Sequence, residues 1–125
     1  MRILVADDNP DITLSMRLLL EDDGHVVETS ETGAGVVEKV EQFHPDACIL
    51  DIDMPGRNGY AIAEDLYARY RSLRPLMIAI SGKWIRGRDQ ARALQCGFDH
   101  FLEKPADSRD VARILEELSR RRAAA

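Results

Sequence analysis

Seven residues combine the right type with the right place: Asp7, Asp8, Asp51, Asp53, Ser81, Lys83 and Lys104. Each comes shortly after an apolar run. Ile3-Leu4-Val5-Ala6 leads to Asp7-Asp8, and Ala47-Cys48-Ile49-Leu50 leads to Asp51 with Asp53 beyond it. Leu76-Met77-Ile78-Ala79-Ile80 leads to Ser81-Gly82-Lys83, and Phe101-Leu102 leads to Lys104-Pro105. If those runs are neighbouring strands, the carboxylates of Asp7, Asp8 and Asp51 converge at one sheet edge. Like charges held close cost energy unless protons or a cation offset them. A few carboxylates with open water positions suit Mg²⁺ and its octahedral shell. A magnesium ion beside a carboxylate and an ammonium group points to phosphoryl chemistry. The ion and Lys104 offset charge on the equatorial oxygens while Asp51 attacks in line. Aspartate is a known nucleophile in acyl-phosphate formation. Singly, each residue has an ordinary use as a helix cap, a loop turn or a solvated charge. Their common position after strands carries the reading.

The elements that must place these residues follow from periodicity. The first, third and fourth runs are nearly continuous in apolar residues, as strands buried on both faces are; Val26-Val27 and Phe101-Leu102 are shorter strand signals. Between them lie helical patterns. Asn9-Pro10 caps and opens the first, whose expected face is Ile12, Met16, Leu19 and Leu20, ending at Gly24. Val36, Val37, Val40 and Phe43 mark the second, stopped at His44-Pro45. Asn58 caps a third carrying Ile62, Ala63, Leu66, Tyr67 and Tyr70. A fourth is expected over about 88–95 with a weak face of Ala91 and Leu94. The fifth carries Val111, Ile114, Leu115 and Leu118 and is capped by Asp107 or Ser108. Five βα units predict an α/β fold, a doubly wound parallel sheet of the flavodoxin-like (βα)5 type with strand order 2-1-3-4-5. Ligands in such sheets bind beyond the carboxyl ends of the strands, where the order reverses.

At 125 residues the chain suits one domain, expected over 1–122 with a tail at 123–125. Apolar residues make up 45% and charged residues 31%, a globular balance. The net charge of −5 disfavours direct nucleic-acid or membrane-surface binding. Arg120-Arg121-Arg122 reads as a solvated helix end, since cations suit a helix C-terminus. Cys48 and Cys96 form no disulfide or zinc pattern, and a reducing cytoplasm fits them best. No apolar stretch approaches membrane length, and no signal-peptide pattern opens the chain.

The assembled motifs resemble response-regulator receiver domains across essentially the whole chain. Asp7-Asp8 resembles their acidic pair, and Asp51-Ile52-Asp53-Met54-Pro55-Gly56-Arg57-Asn58-Gly59 their phosphorylation loop. Ser81-Gly82 is similar to their hydroxyl residue and its small neighbour, and Ala93 to Pro105 to the segment ending in lysine–proline. The resemblance implies Asp51 as phosphoacceptor, with Mg²⁺ bound by Asp8, Asp51 and the backbone carbonyl of Asp53, and by Asp7 through water. It implies that Lys104 and Ser81 contact the phosphoryl group, that Ser81 and Phe101 switch together, and that the bond before Pro105 is cis. The donor would be a histidine kinase or a histidine phosphotransfer protein.

The resemblance further implies a signalling module rather than an enzyme, a monomer or weak dimer, with a downstream protein partner at about residues 84–122. Serine stands at position 81 where threonine is commoner, and Phe101 lacks a tyrosine hydroxyl. Asp53 and Lys83 are expected to flank the site as an ion pair that screens it from water. Trp84, the only tryptophan, is expected to pack back onto the domain, with a partner anchor as the alternative. Two alternatives remain: a magnesium-dependent phosphatase similar to haloacid-dehalogenase enzymes, reading Asp51-Ile52-Asp53 as nucleophile and acid, and a receiver-like scaffold that is never phosphorylated.

Overall fold

The computed structural model describes residues 1–82 and 87–124, with the side chains at 87–90 left aside. Its elements are β1 (Arg2–Ala6), α1 (Pro10–Asp22), β2 (Val26–Ser30), α2 (Val36–Phe43), β3 (Ala47–Asp51), α3 (Gly59–Tyr70), β4 (Leu76–Ser81), α4 (Gly87–Cys96), β5 (His100–Glu103) and α5 (Ser108–Ala124). Short 3-10 turns at Gly33–Gly35 and Arg71–Leu73 follow β2 and α3. The strands form one parallel sheet in the order β2-β1-β3-β4-β5, as predicted.

Strand side chains alternate between the two faces, and each face has its own core. Ile3, Val5, Ile49, Ile78 and Ile80 meet Met16 and Leu20 of α1 and Val111 and Leu115 of α5. Leu4, Ala6, Cys48, Leu50, Met77 and Ala79 meet the valines of α2, Ile62 and Leu66 of α3, and Ala93 and Cys96 of α4. Helices on both faces explain why β3 is buried along its whole length. Both cysteines are free and buried. Burial pushes the Cys48 thiol far up. Burial and the Glu64 carboxylate push Cys96 up to about 11.

Three helix faces differ from expectation, the third at one position. In α1 the buried stripe is Thr13, Met16 and Leu20, while Leu19 is exposed and Ile12 half-buried. Thr13 can face the core because its hydroxyl donates to the Pro10 carbonyl at 3.0 Å, so no polar group is left unpaired. In α4, Ala93 and Cys96 face inward, and Ala91 and Leu94 face out. Small side chains, not the largest apolar one, fit that contact. On α3, Ile62, Ala63 and Leu66 are buried as expected, but Tyr67 is half-exposed, with the Arg74 guanidinium 5.3 Å from its ring. The α2 stripe and the caps at Asn9 and Asn58 agree with the sequence reading. Helix α5 runs through Ala124, and Asp107 accepts from the Arg109 amide at its start.

The edge where the strands begin is closed by ion pairs. Asp46, just before β3, accepts from the Arg2 amide at 2.7 Å and from the Arg122 guanidinium. Arg2 also donates to the Phe43 carbonyl and stacks over its ring. Arg120 and Arg121 pair with Glu116 and Glu117, so the basic run is matched by carboxylates.

Candidate functional site

Strand register builds the site. Ala6 lies opposite Leu50, so the residues that follow, Asp7 and Asp51, emerge side by side. Ser81 lies opposite Glu103, and the Lys104 amide donates to the Ser81 carbonyl at 2.8 Å. The lysine therefore emerges beside them. The Lys104–Pro105 peptide bond is cis.

Lys104 Nζ lies 3.0 Å from Oδ2 of Asp7 and 3.0 Å from Oδ2 of Asp51. The other oxygens are also engaged: Asp7 Oδ1 accepts from the Asn9 amide, and Asp51 Oδ1 from the Asp53 amide at 3.1 Å. Carboxylate oxygens of Asp7, Asp8 and Asp51 lie within 4.8 Å of one another. Asp7 and Asp51 are each only 3% exposed, whereas Asp8 opens to solvent. Burial raises the Asp51 carboxyl above its ordinary value, Asp7 adds to the rise, and Lys104 and the Asp53 amide only partly oppose it. Burial alone would lower Lys104, but its bonds to Asp7 and Asp51 outweigh that and raise it, so it is an ammonium at neutral pH. Two of the three carboxylates thus share one ammonium, and the trio remains short of positive charge. A hard divalent cation with oxygen ligands fits that deficit, with Asp8 facing the water that must complete its shell.

Around this centre, Ser81 is buried and its hydroxyl donates to Asp53 Oδ2 at 3.5 Å. Asp53 itself is exposed. Phe101 is half-buried and packs against the core layer under α3 and α4. Asp7, Asp8, Asp51, Ser81 and Lys104 therefore come together, with Asp53 at the rim and Phe101 behind. Lys83 and Trp84 lie outside the described residues, and with them the expected Asp53–Lys83 pair. Beside Lys104 and Pro105, a groove of about 480 Å³ runs between α1 and the loop from β5 to α5, lined by Ile12, Met16, Leu19 and Ala106 among others. The sequence reading missed Gly33, Arg57 and Asp65, which brace the loop after Asp51. The one available signal was Gly33-Ala34-Gly35, a turn too small to cover whatever passes over it.

A model of the response regulator receiver domain family matches residues 3–116. The chain belongs to that family. It is 30% identical over 120 residues to an uncharacterized 14.6 kDa protein of Leptolyngbya boryana, covering 94% of this chain and 88% of that one. It is 26% identical to the two-component response regulator PhoP of Pseudomonas aeruginosa, covering 97% of this chain but only 52% of PhoP. Among solved structures, a CheY-like receiver domain protein of Methanospirillum hungatei superposes with a TM-score of 0.86 at 26% identity, covering 99% and 98% of the two chains. The receiver domain is thus a signalling domain of two-component type. Asp51 ends β3, whereas the aspartate pair of dehalogenase-type enzymes normally follows the first strand. No helix among the described residues is long and apolar enough to cross a membrane.

Proposed function

We propose that this receiver domain accepts one phosphoryl group on Asp51 from a phosphohistidine of a histidine kinase or histidine phosphotransfer protein. The observation that carries this is the buried Asp51 carboxylate, with its pKa raised, set 3.0 Å from the Lys104 ammonium within an acidic trio. Asp8, Asp51 and the Asp53 carbonyl, with Asp7 through water, would hold Mg²⁺, which when bound supplies positive charge against the phosphoryl oxygens. Asp51 forms the new P–O bond as the donor's P–N bond breaks, and the electron pair returns to the imidazole. Lys104 holds the reacting carboxylate in place and faces the phosphoryl oxygens as charge develops on them. The groove beside Lys104 leaves room for the donor between α1 and the loop from β5 to α5.

Once Asp51 carries the acyl phosphate, its charge moves outward onto the phosphoryl group. Ser81 then turns from Asp53 towards the new oxygens, and Phe101 follows into the space it leaves. That alters the face of α4, β5 and α5, within about residues 84–122, where a downstream partner binds. Leu94 is exposed on that face, and Ile114 and Leu118 are half-buried. Residues 1–122 form the switching unit, a monomer or weak dimer working in the cytoplasm as a stoichiometric acceptor. Intact mass after incubation with acetyl phosphate tests this. One phosphoryl gained with Mg²⁺, and none with chelator or in Asp51→Asn, is the expected result. A wild type that gains nothing and binds no beryllofluoride would sink the proposal.

A further inference from the structure

The loop between Asp51 and α3 lies directly on the turn after β2. The Gly33 amide donates to the Pro55 carbonyl at 3.1 Å. A Cβ on Gly33 would sit 1.8 Å from the Arg57 carbonyl oxygen, so no other residue fits there unless the loop lifts. Gly56, at φ +90°, passes over Ala34 on the same turn. Met54 is buried in the core layer with Val36, Val37 and Val40 of α2.

The far limb of the loop is tied by one side chain. The Arg57 guanidinium donates to Asp65 Oδ2 at 2.8 Å and to the Ala61 carbonyl at 3.3 Å. Asp65 offers its other oxygen to Arg69, which reaches Glu41 on α2. The near limb ends on the chemistry: the Ile52 amide donates to the Ile80 carbonyl, and the Asp53 amide to Asp51 Oδ1. The loop is therefore a bridge, with a glycine platform and an arginine tie at one end and the reactive carboxylate at the other.

We infer that Gly33 and Arg57 are positioning residues for metal binding, holding the loop at the height that aims Asp51 and the Asp53 backbone at the ion. This rests on the magnesium site proposed above. Magnesium demands near-ideal octahedral geometry, so it responds to small errors in where its oxygens point. Groups that orient a metal's ligands without touching the metal commonly alter affinity by about 10- to 100-fold. A merely structural role for the Arg57–Asp65 pair would predict no such effect. Arg69→Ala supplies the control, because it cuts the Asp65–Arg69–Glu41 chain while leaving Arg57 on Asp65.

The experiment is calorimetric titration with magnesium alone of wild type, Arg57→Ala, Gly33→Ala and Arg69→Ala, each with a thermal melt in chelator. Arg57→Ala and Gly33→Ala should each weaken magnesium binding by about tenfold or more, with Arg69→Ala unchanged whatever its melting temperature. If Gly33→Ala does not fold, Arg57→Ala decides. Arg57→Ala binding magnesium like wild type, or Arg57→Ala and Arg69→Ala weakening it equally, overturns the inference alone. A wild type that takes up no magnesium overturns the metal site and this inference together.

Discussion

Strand β3 carries an aspartate at each end, and the two live in opposite electrostatic conditions. Asp46 precedes the strand and has more positive partners than it needs. Burial would raise its carboxyl, but the Arg2 amide and the Arg122 guanidinium outweigh that and hold it below the ordinary carboxylate value. Asp51 closes the strand and shares one lysine with Asp7, so its carboxyl stands above that value. The same side chain is thus a fastener at one end and a reagent at the other. The residue type is common to both, and the ratio of positive to negative neighbours separates them. At the start of β3 the carboxylate is offset within the chain. At its end the deficit is left for an ion and a phosphoryl group.

The comparison breaks first at the level of chemistry. Asp51→Asn should lose phosphorylation entirely, while Asp46→Asn should gain its phosphoryl group at the wild-type rate from acetyl phosphate, read by intact mass. Equal behaviour of the two would end the distinction. Next in size, Lys104→Ala should slow phosphorylation by about 100-fold, the usual scale for removing a group that stabilises developing oxyanion charge.

Stability should then move in opposite directions. Asp46→Asn loses the charged partner of Arg122 and should destabilise the domain by about 1 kcal/mol, lowering its melting temperature at pH 7. Asp51→Asn relieves the crowded trio and should raise the melting temperature in chelator. The pH dependence is the finest test. Asp46 titrates below 3.8 in the folded state, so its contribution is present above that value and is lost as the pH falls through the folded pKa. Asp51 titrates above 3.8, so it imposes no cost on the folded state while it is protonated in both states below that value, and it lowers stability as the pH rises through the folded pKa because the unfolded chain ionises first. Melts of both variants should approach wild type as the pH falls through each folded pKa and diverge with opposite signs towards neutrality. Divergence with the same sign would refute the account.

How much of this was legible in the sequence depended on range. The central strands were, because burial on both faces leaves uninterrupted apolar runs and turns the next residue towards the site. Asp7, Asp8, Asp51, Ser81 and Lys104 could be placed together for that reason. The faces of α1 and α4 were misjudged because hydrophobicity alone ranks Leu19 above Thr13 and Leu94 above Ala93. Thr13 settles its hydroxyl on its own helix, and a tight helix contact prefers alanine to leucine. Partners remote along the chain left no local trace. Arg122 reaches Asp46 from 76 residues away, and Gly33 meets a loop that begins two elements later.

Cys48 carries a practical consequence of the buried central strand. It sits in the middle of β3, opposite Leu4 on β1 and Met77 on β4, with no exposed surface. A thiol reagent can reach its sulfur only after α2, α3 and α4 lift from that face of the sheet, which is close to complete unfolding. Its labelling rate is therefore a stopwatch for the rarest opening of the domain. Anything that binds the closed form alone, a metal ion or a phosphoryl mimic included, should make that stopwatch run slower in proportion to its occupancy.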